Sequence, residues 1–60
     1  MYFIHVQFDG KGRYELLSSN GETCMRYLYA IFFDTREEAE ERVRKLKEWN
    51  PQHNFKITKK

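Results

Sequence analysis

Glu22-Thr23-Cys24-Met25-Arg26-Tyr27-Leu28-Tyr29-Ala30-Ile31-Phe32-Phe33 decides how this chain is read, because it is apolar on both faces of any strand it forms. By alternate positions, Met25, Tyr27, Tyr29, Ile31 and Phe33 fall on one side, and Cys24, Arg26, Leu28, Ala30 and Phe32 on the other. A strand with one wet face alternates apolar with polar residues, whereas a strand covered on both faces does not. Either a helix covers one side and a partner the other, or a bulge switches the faces partway. The first reading makes part of this stretch an interaction surface.

Upstream, Tyr2, Ile4, Val6 and Phe8 alternate with Phe3, His5 and Gln7, the pattern of a strand with its even face toward the core. Asp9-Gly10-Lys11-Gly12 is a turn with two glycines able to take positive φ. Arg13 to Ser18 alternates again, with Tyr14, Leu16 and Ser18 on one face and Arg13, Glu15 and Leu17 on the other. Asn20-Gly21 suits a type I′ hairpin turn, which needs positive φ at both central residues. Downstream, Thr35 and Glu38 have capping-box spacing, and Ala39, Val43 and Leu46 form one helical stripe with Trp49 at its margin. Glu38–Arg42, Glu40–Arg44 and Glu41–Lys45 have the acid-before-base spacing of four that suits intrahelical ion pairs. Asn50-Pro51 stops the helix, because the residue before proline is pushed out of the α region. Phe55 and Ile57 then alternate with Lys56 and Thr58, a short fourth strand at an edge.

The expected architecture is therefore α+β over residues 1–60 as one domain. It is a three- to four-stranded, mainly antiparallel sheet in the order β-β-β-α-β, with the helix packed on one face.

Sixty residues, 40% of them hydrophobic, leave little material for an enzyme cleft beside a core. Ten aromatics argue equally against a chain that stays solvated. Eleven bases against nine acids give a formal charge of +2, too little to point to nucleic acid by electrostatics alone. A single cysteine, Cys24, offers no internal disulfide. The opening Met1-Tyr2-Phe3-Ile4-His5-Val6 lacks the basic leader and apolar run of a signal peptide, and no apolar stretch suits a bilayer. A cytoplasmic protein with no membrane partner is expected.

Candidate chemistry is sparse. Cys24, His5 and His53 are scattered, without the close ligand pairs of a structural zinc site, so no metal is expected. A Cys24–His5 nucleophilic pair across neighbouring strands lacks an orienting group and an oxyanion hole. The glutamates early in the helix are explained by capping, dipole and ion pairing. No catalytic residue, cofactor or small-molecule substrate is expected. The surface that invites a functional reading is the sheet face away from the helix, assigned here to Phe3, His5, Gln7, Arg13, Glu15, Leu17, Arg26 and Leu28. An apolar patch rimmed by charge suits a protein contact, for which Phe3, His5, Leu17, Arg26, Leu28 and Phe32 are the candidates. The alternative is a nucleic-acid contact through Arg13, Arg26, Lys56, Lys59 and Lys60.

Two resemblances bear on this choice. Arg13-Tyr14-Glu15-Leu16, Asn20-Gly21-Glu22 and the stripe Ala39…Val43…Leu46…Asn50 together resemble the YegP-like small β-β-β-α module over about residues 2–50. That resemblance implies association in pairs and no catalytic residue. Phe33-Asp34-Thr35-Arg36-Glu37-Glu38-Ala39 after three strands is similar to the sheet-to-helix junction of the arm-type DNA-binding domain of phage integrases, which implies a sheet laid in the major groove. The expectation adopted is a small non-enzymatic protein-binding module, homodimeric or holding another protein, of the kind found among phage and mobile-element accessory and inhibitor proteins. The nucleic-acid-binding module is the alternative.

Overall fold

Tyr2–Gln7 forms strand β1, the axis of the molecule in a computed structural model that describes residues 1–60. Its even face is enclosed at Ile4 and Val6 as expected, and Phe3 on the odd face is buried as well. The strand ends at Gln7, however, and Phe8 enters a 3₁₀ turn (Phe8–Gly10) and stays exposed instead of joining the core. Along one edge of β1 runs β5 (Asn54–Lys59), antiparallel and in register from Tyr2↔Lys59 to Gln7↔Asn54. The opposite edge is shared. β2 (Glu15–Leu17) pairs with His5 and Val6, and β4 (Phe32–Phe33) pairs with Tyr2 and Phe3. Between these pairings the two chains peel away from β1 and bond to each other, through the Ser18↔Ala30 bridge and Ile31 N–H to the Leu17 carbonyl at 3.1 Å. The sheet is thus forked and curled. A hairpin arm, residues 18–30, leaves the fork and carries β3 (Thr23–Cys24) alongside β2.

The helix α1 (Arg36–Trp49) lies on the Ile4–Val6 face. Thr35 caps it: its hydroxyl accepts from Glu38 N–H at 3.2 Å and donates to the Glu38 carboxylate at 3.1 Å. Ala39 is wholly buried, with Val43 and Leu46 half-buried along the same stripe. The helix stops at Asn50, as expected before Pro51. The ion pairs differ from the expected ones. Arg36–Glu40 and Glu41–Arg44 form instead of Glu38–Arg42, Glu40–Arg44 and Glu41–Lys45. All these side chains are solvated, where alternative pairings differ by little free energy.

Three expectations need correction. The segment Glu22–Phe33 is not one strand but three pieces: β3, a single 3₁₀ turn at Tyr27–Tyr29, and β4. The break lets the chain fold back over the face that α1 leaves open. There Ala30 joins Phe3 and Leu16 in a small apolar cluster with Cys24 against it. The Tyr27 ring meets the Phe3 ring edge-on at 4.7 Å. A straight strand would forgo that burial. Second, β2 faces the other way. Its register sets Leu16 opposite His5, so Leu16 lies on the face away from the helix, and Glu15 and Leu17 on the helix side. Both leucines are buried, one on each face, and a slip of one residue exchanges them. Third, the hairpin turn is not type I′. Only Gly21 of Asn20-Gly21 has positive φ (86°), and Ser18 N–H donates to the Glu22 carbonyl at 2.7 Å across a three-residue loop. A glycine in the left-handed region ending such a loop is the usual alternative to the two-residue turn.

The result is three thin layers: helix, sheet and arm. Eight of the 60 residues are buried, and Ile4 is the one large side chain wholly enclosed. No helix is long and apolar enough to cross a membrane.

Candidate functional site

The sheet face away from the helix is built from alternate residues of β1, β2 and β5. Three adjacent strands bring His5, Leu16 and Cys24 into one row. These residues, with Tyr14, Met25 and Tyr27, line a depression of about 300 Å³. Lys56 stands opposite His5 on β5 with its ammonium 4.5 Å from the centre of the Tyr14 ring. Lys60 sits similarly over Tyr27 at 4.4 Å. His5 Nε2 and the Thr58 hydroxyl are hydrogen-bonded at 2.8 Å. Burial, and then the Lys56 charge, hold the His5 pKa below its ordinary value, so the imidazole is neutral at neutral pH.

The face does not assemble a thiol–imidazole pair. Leu16 stands between His5 and Cys24, two strand spacings or about 10 Å apart across the sheet. The Cys24 thiol is directed instead to the Arg26 carbonyl at 3.4 Å. His53 lies elsewhere, at the far end of β5, where its Nδ1 accepts from Asp9 N–H at 3.0 Å and its ring meets Phe8 edge-on. No group of three or more His, Cys, Asp or Glu residues is placed to hold a metal ion.

The residues assigned from sequence to a protein contact divide into two sets. Phe3 (5% exposed) and Leu17 (8%) are buried, Phe3 beneath the arm and Leu17 on the helix face, so they support the surface rather than line it. His5 is half-buried in the depression. Arg26, Leu28 and Phe32 are open to solvent, Leu28 at 79% and Phe32 at 52%. Two neighbours that the sequence reading left out are as exposed: Met25 at 95% and Tyr29 at 60%. The missed signal was the same double-sided apolar run. Once the strand breaks at Met25, side chains from both of its nominal faces reach solvent.

The bases assigned to the alternative reading, Arg13, Arg26, Lys56, Lys59 and Lys60, are all exposed. None is ion-paired, for the Lys and Arg ion pairs of the molecule are Arg36–Glu40 and Glu41–Arg44, both within α1. They do not form one stripe, since Lys59 is turned to the helix side, 5.9 Å from the centre of the Tyr2 ring. Five of the eleven bases and five of the nine acids lie on α1, which leaves six bases against four acids elsewhere. The positive charge therefore belongs to the sheet and arm.

Comparison with family models, curated proteins and solved structures returned no match.

Proposed function

We propose that this chain is a non-enzymatic binding module that docks a protein, a second copy of itself included, through residues 25–32, the returning limb of the arm and the start of β4. One observation carries the reading: Met25, Leu28, Tyr29 and Phe32 are all more than half exposed within eight residues of a 60-residue chain. Scattered exposed apolar residues are ordinary, but a concentration of this kind on a small domain marks a contact surface. Arg26 among them adds a residue type enriched at protein contacts. The thin core supports the same reading, because burying the arm would add apolar area to a domain with little of its own.

The test is twofold. Sedimentation equilibrium over a hundredfold range of concentration measures self-association, and retention of a purified partner on the immobilised chain measures hetero-association. Leu28→Glu should abolish whichever occurs, and Trp49→Glu, equally exposed but on the helix, should leave it intact. Loss with both variants, or with neither, removes the arm from consideration.

A second reading rests on the unpaired bases beside tyrosines. Lys56 with Tyr14 and Lys60 with Tyr27 present charge and a stacking surface on one sheet face, the pairing that single-stranded nucleic acid uses. A gel shift at increasing salt separates the two readings, since neutralising several phosphates makes affinity fall steeply with salt. No shift at low salt removes the second reading.

A further inference from the structure

A different part of the molecule carries an inference of its own: the outer edge of β5. The amino group of Met1 donates to the Lys60 carbonyl at 3.1 Å, and Lys60 N–H donates to the Met1 carbonyl at 2.9 Å. Those two bonds make Met1 and Lys60 a hydrogen-bonded pair. Along the antiparallel ladder such pairs alternate with non-bonded ones, so Phe3↔Thr58, His5↔Lys56 and Gln7↔Asn54 are bonded as well. The N–H and C=O groups of Phe55, Ile57 and Lys59 therefore point away from β1. No other segment bonds to them, because β1 is the only strand that pairs with β5.

The edge is regular over six residues, without proline. It is the longest strand edge that the protein leaves unpaired, β3 and β4 being two residues each. An edge of this kind is a template for an added strand. Its charge selects what can be added. Residues 54–60 contain Lys56, Lys59 and Lys60 and no acid. These ammonium groups rest against tyrosine rings rather than carboxylates, Lys56 and Lys60 on one face and Lys59 on the other. A second copy of β5 laid antiparallel, Ile57 against Ile57, would set Lys56 diagonal to the other copy's Lys56 and Lys60 and gather six ammonium groups with no acidic side chain among them, which repels. A strand carrying carboxylates would instead find counter-charges on both faces.

We propose that the β5 edge accepts an extended acidic peptide segment as an additional antiparallel strand. Its main chain bonds to Phe55, Ile57 and Lys59, and its side-chain carboxylates meet Lys56, Lys59 and Lys60. The edge touches the arm where Lys60 rests on Tyr27, but the main-chain groups it offers are those of β5, so the proposal stands or falls independently of arm docking.

The test is amide hydrogen exchange followed by NMR, using as the probe a blocked octapeptide Val-Glu-Glu-Val-Val-Glu-Glu-Val, which carries carboxylates on both faces of a strand. In the free chain the amides of Phe55, Ile57 and Lys59 should exchange fast, and those of Lys56 and Thr58 slowly. The acidic peptide should slow the first three, and the same octapeptide with lysine in place of glutamate should not. Lys59→Ala removes one charge; Lys59→Pro removes the same charge and also an outward N–H, at a position where an edge strand tolerates proline. The proline variant should bind about tenfold more weakly than the alanine variant, the loss of roughly one net hydrogen bond. The wild-type peptide comparison needs no variant to fold. Failure of the acidic peptide to slow the three amides overturns the proposal, as does equal slowing by the basic peptide. Equal protection by a poly-dT strand assigns the edge to nucleic acid instead. Protection that grows with protein concentration alone assigns it to a second copy. Leu28→Glu should leave peptide binding unchanged.

Discussion

Ile4→Val is the sharpest probe of how the layers hold together. Ile4 is wholly enclosed, faces Ile57 across the β1–β5 ladder, and lies on the sheet face that receives α1. The substitution removes one methyl group without changing β-branching, so strand propensity is nearly constant and packing alone is tested. Ile→Val at a buried site costs about 0.5–1.5 kcal/mol. For a chain of this length the unfolding entropy is about 0.13 kcal/mol per kelvin, so the midpoint should fall by roughly 4–12 °C. Ile4→Ala would cost about 2–5 kcal/mol, a large share of what so thin a core supplies, which makes the smaller truncation the more informative one. The assay is thermal unfolding by far-ultraviolet circular dichroism, with Leu28→Ala, on the 79%-exposed arm residue, as the comparison. Leu28→Ala should move the midpoint by no more than about 4 °C, since surface changes cost within about 0.5 kcal/mol. A midpoint for Ile4→Val within about 2 °C of the parent, or an equal fall for Leu28→Ala, would refute the placement of the core between β1, β5 and α1.

Two further outcomes are specific. Thr35→Ala removes the hydroxyl that accepts from Glu38 N–H and should cost about 0.5–2 kcal/mol, while Thr35→Ser should restore most of it; thermal unfolding of the two variants measures both. His5 titrates below its ordinary value in the folded chain, so between the folded and unfolded pKa values the unfolded chain binds more protons. Its contribution to stability is complete above about pH 6.5 and declines as pH falls toward the folded pKa. Denaturant midpoints measured from pH 7.5 down to 5 should fall, and His5→Gln should flatten that dependence; an unchanged slope would show that His5 is not its source.

The parts of the fold legible in the sequence are those decided by neighbours along the chain. β1 announces itself by alternation, and α1 by Thr35 at its start, the Ala39–Val43–Leu46 stripe, and Asn50-Pro51 at its end. The arm was not legible, because its course depends on residues far away in sequence. Phe3 receives Tyr27, and Ser18 bridges to Ala30, and neither contact leaves a local mark. Leu16-Leu17 concealed the orientation of β2, since adjacent leucines satisfy either register equally well. For the candidate site, the surplus of apolar residues in 23–33 was readable, but which of them stay exposed was not. The fold-back over Phe3 shelters Ala30 and half-covers Ile31 while turning Met25, Leu28 and Tyr29 outward.

The central claim is that Met25, Leu28, Tyr29 and Phe32 serve contact with another molecule and contribute little to the free fold. The triple variant Met25→Ser/Leu28→Ser/Phe32→Ser, unfolded by heat at low concentration beside the parent, tests it most directly. The account predicts cooperative unfolding with a midpoint within a few degrees of the parent's. A loss of about 3 kcal/mol or more, the scale of a buried side chain truncated, would contradict it and return the arm to the core.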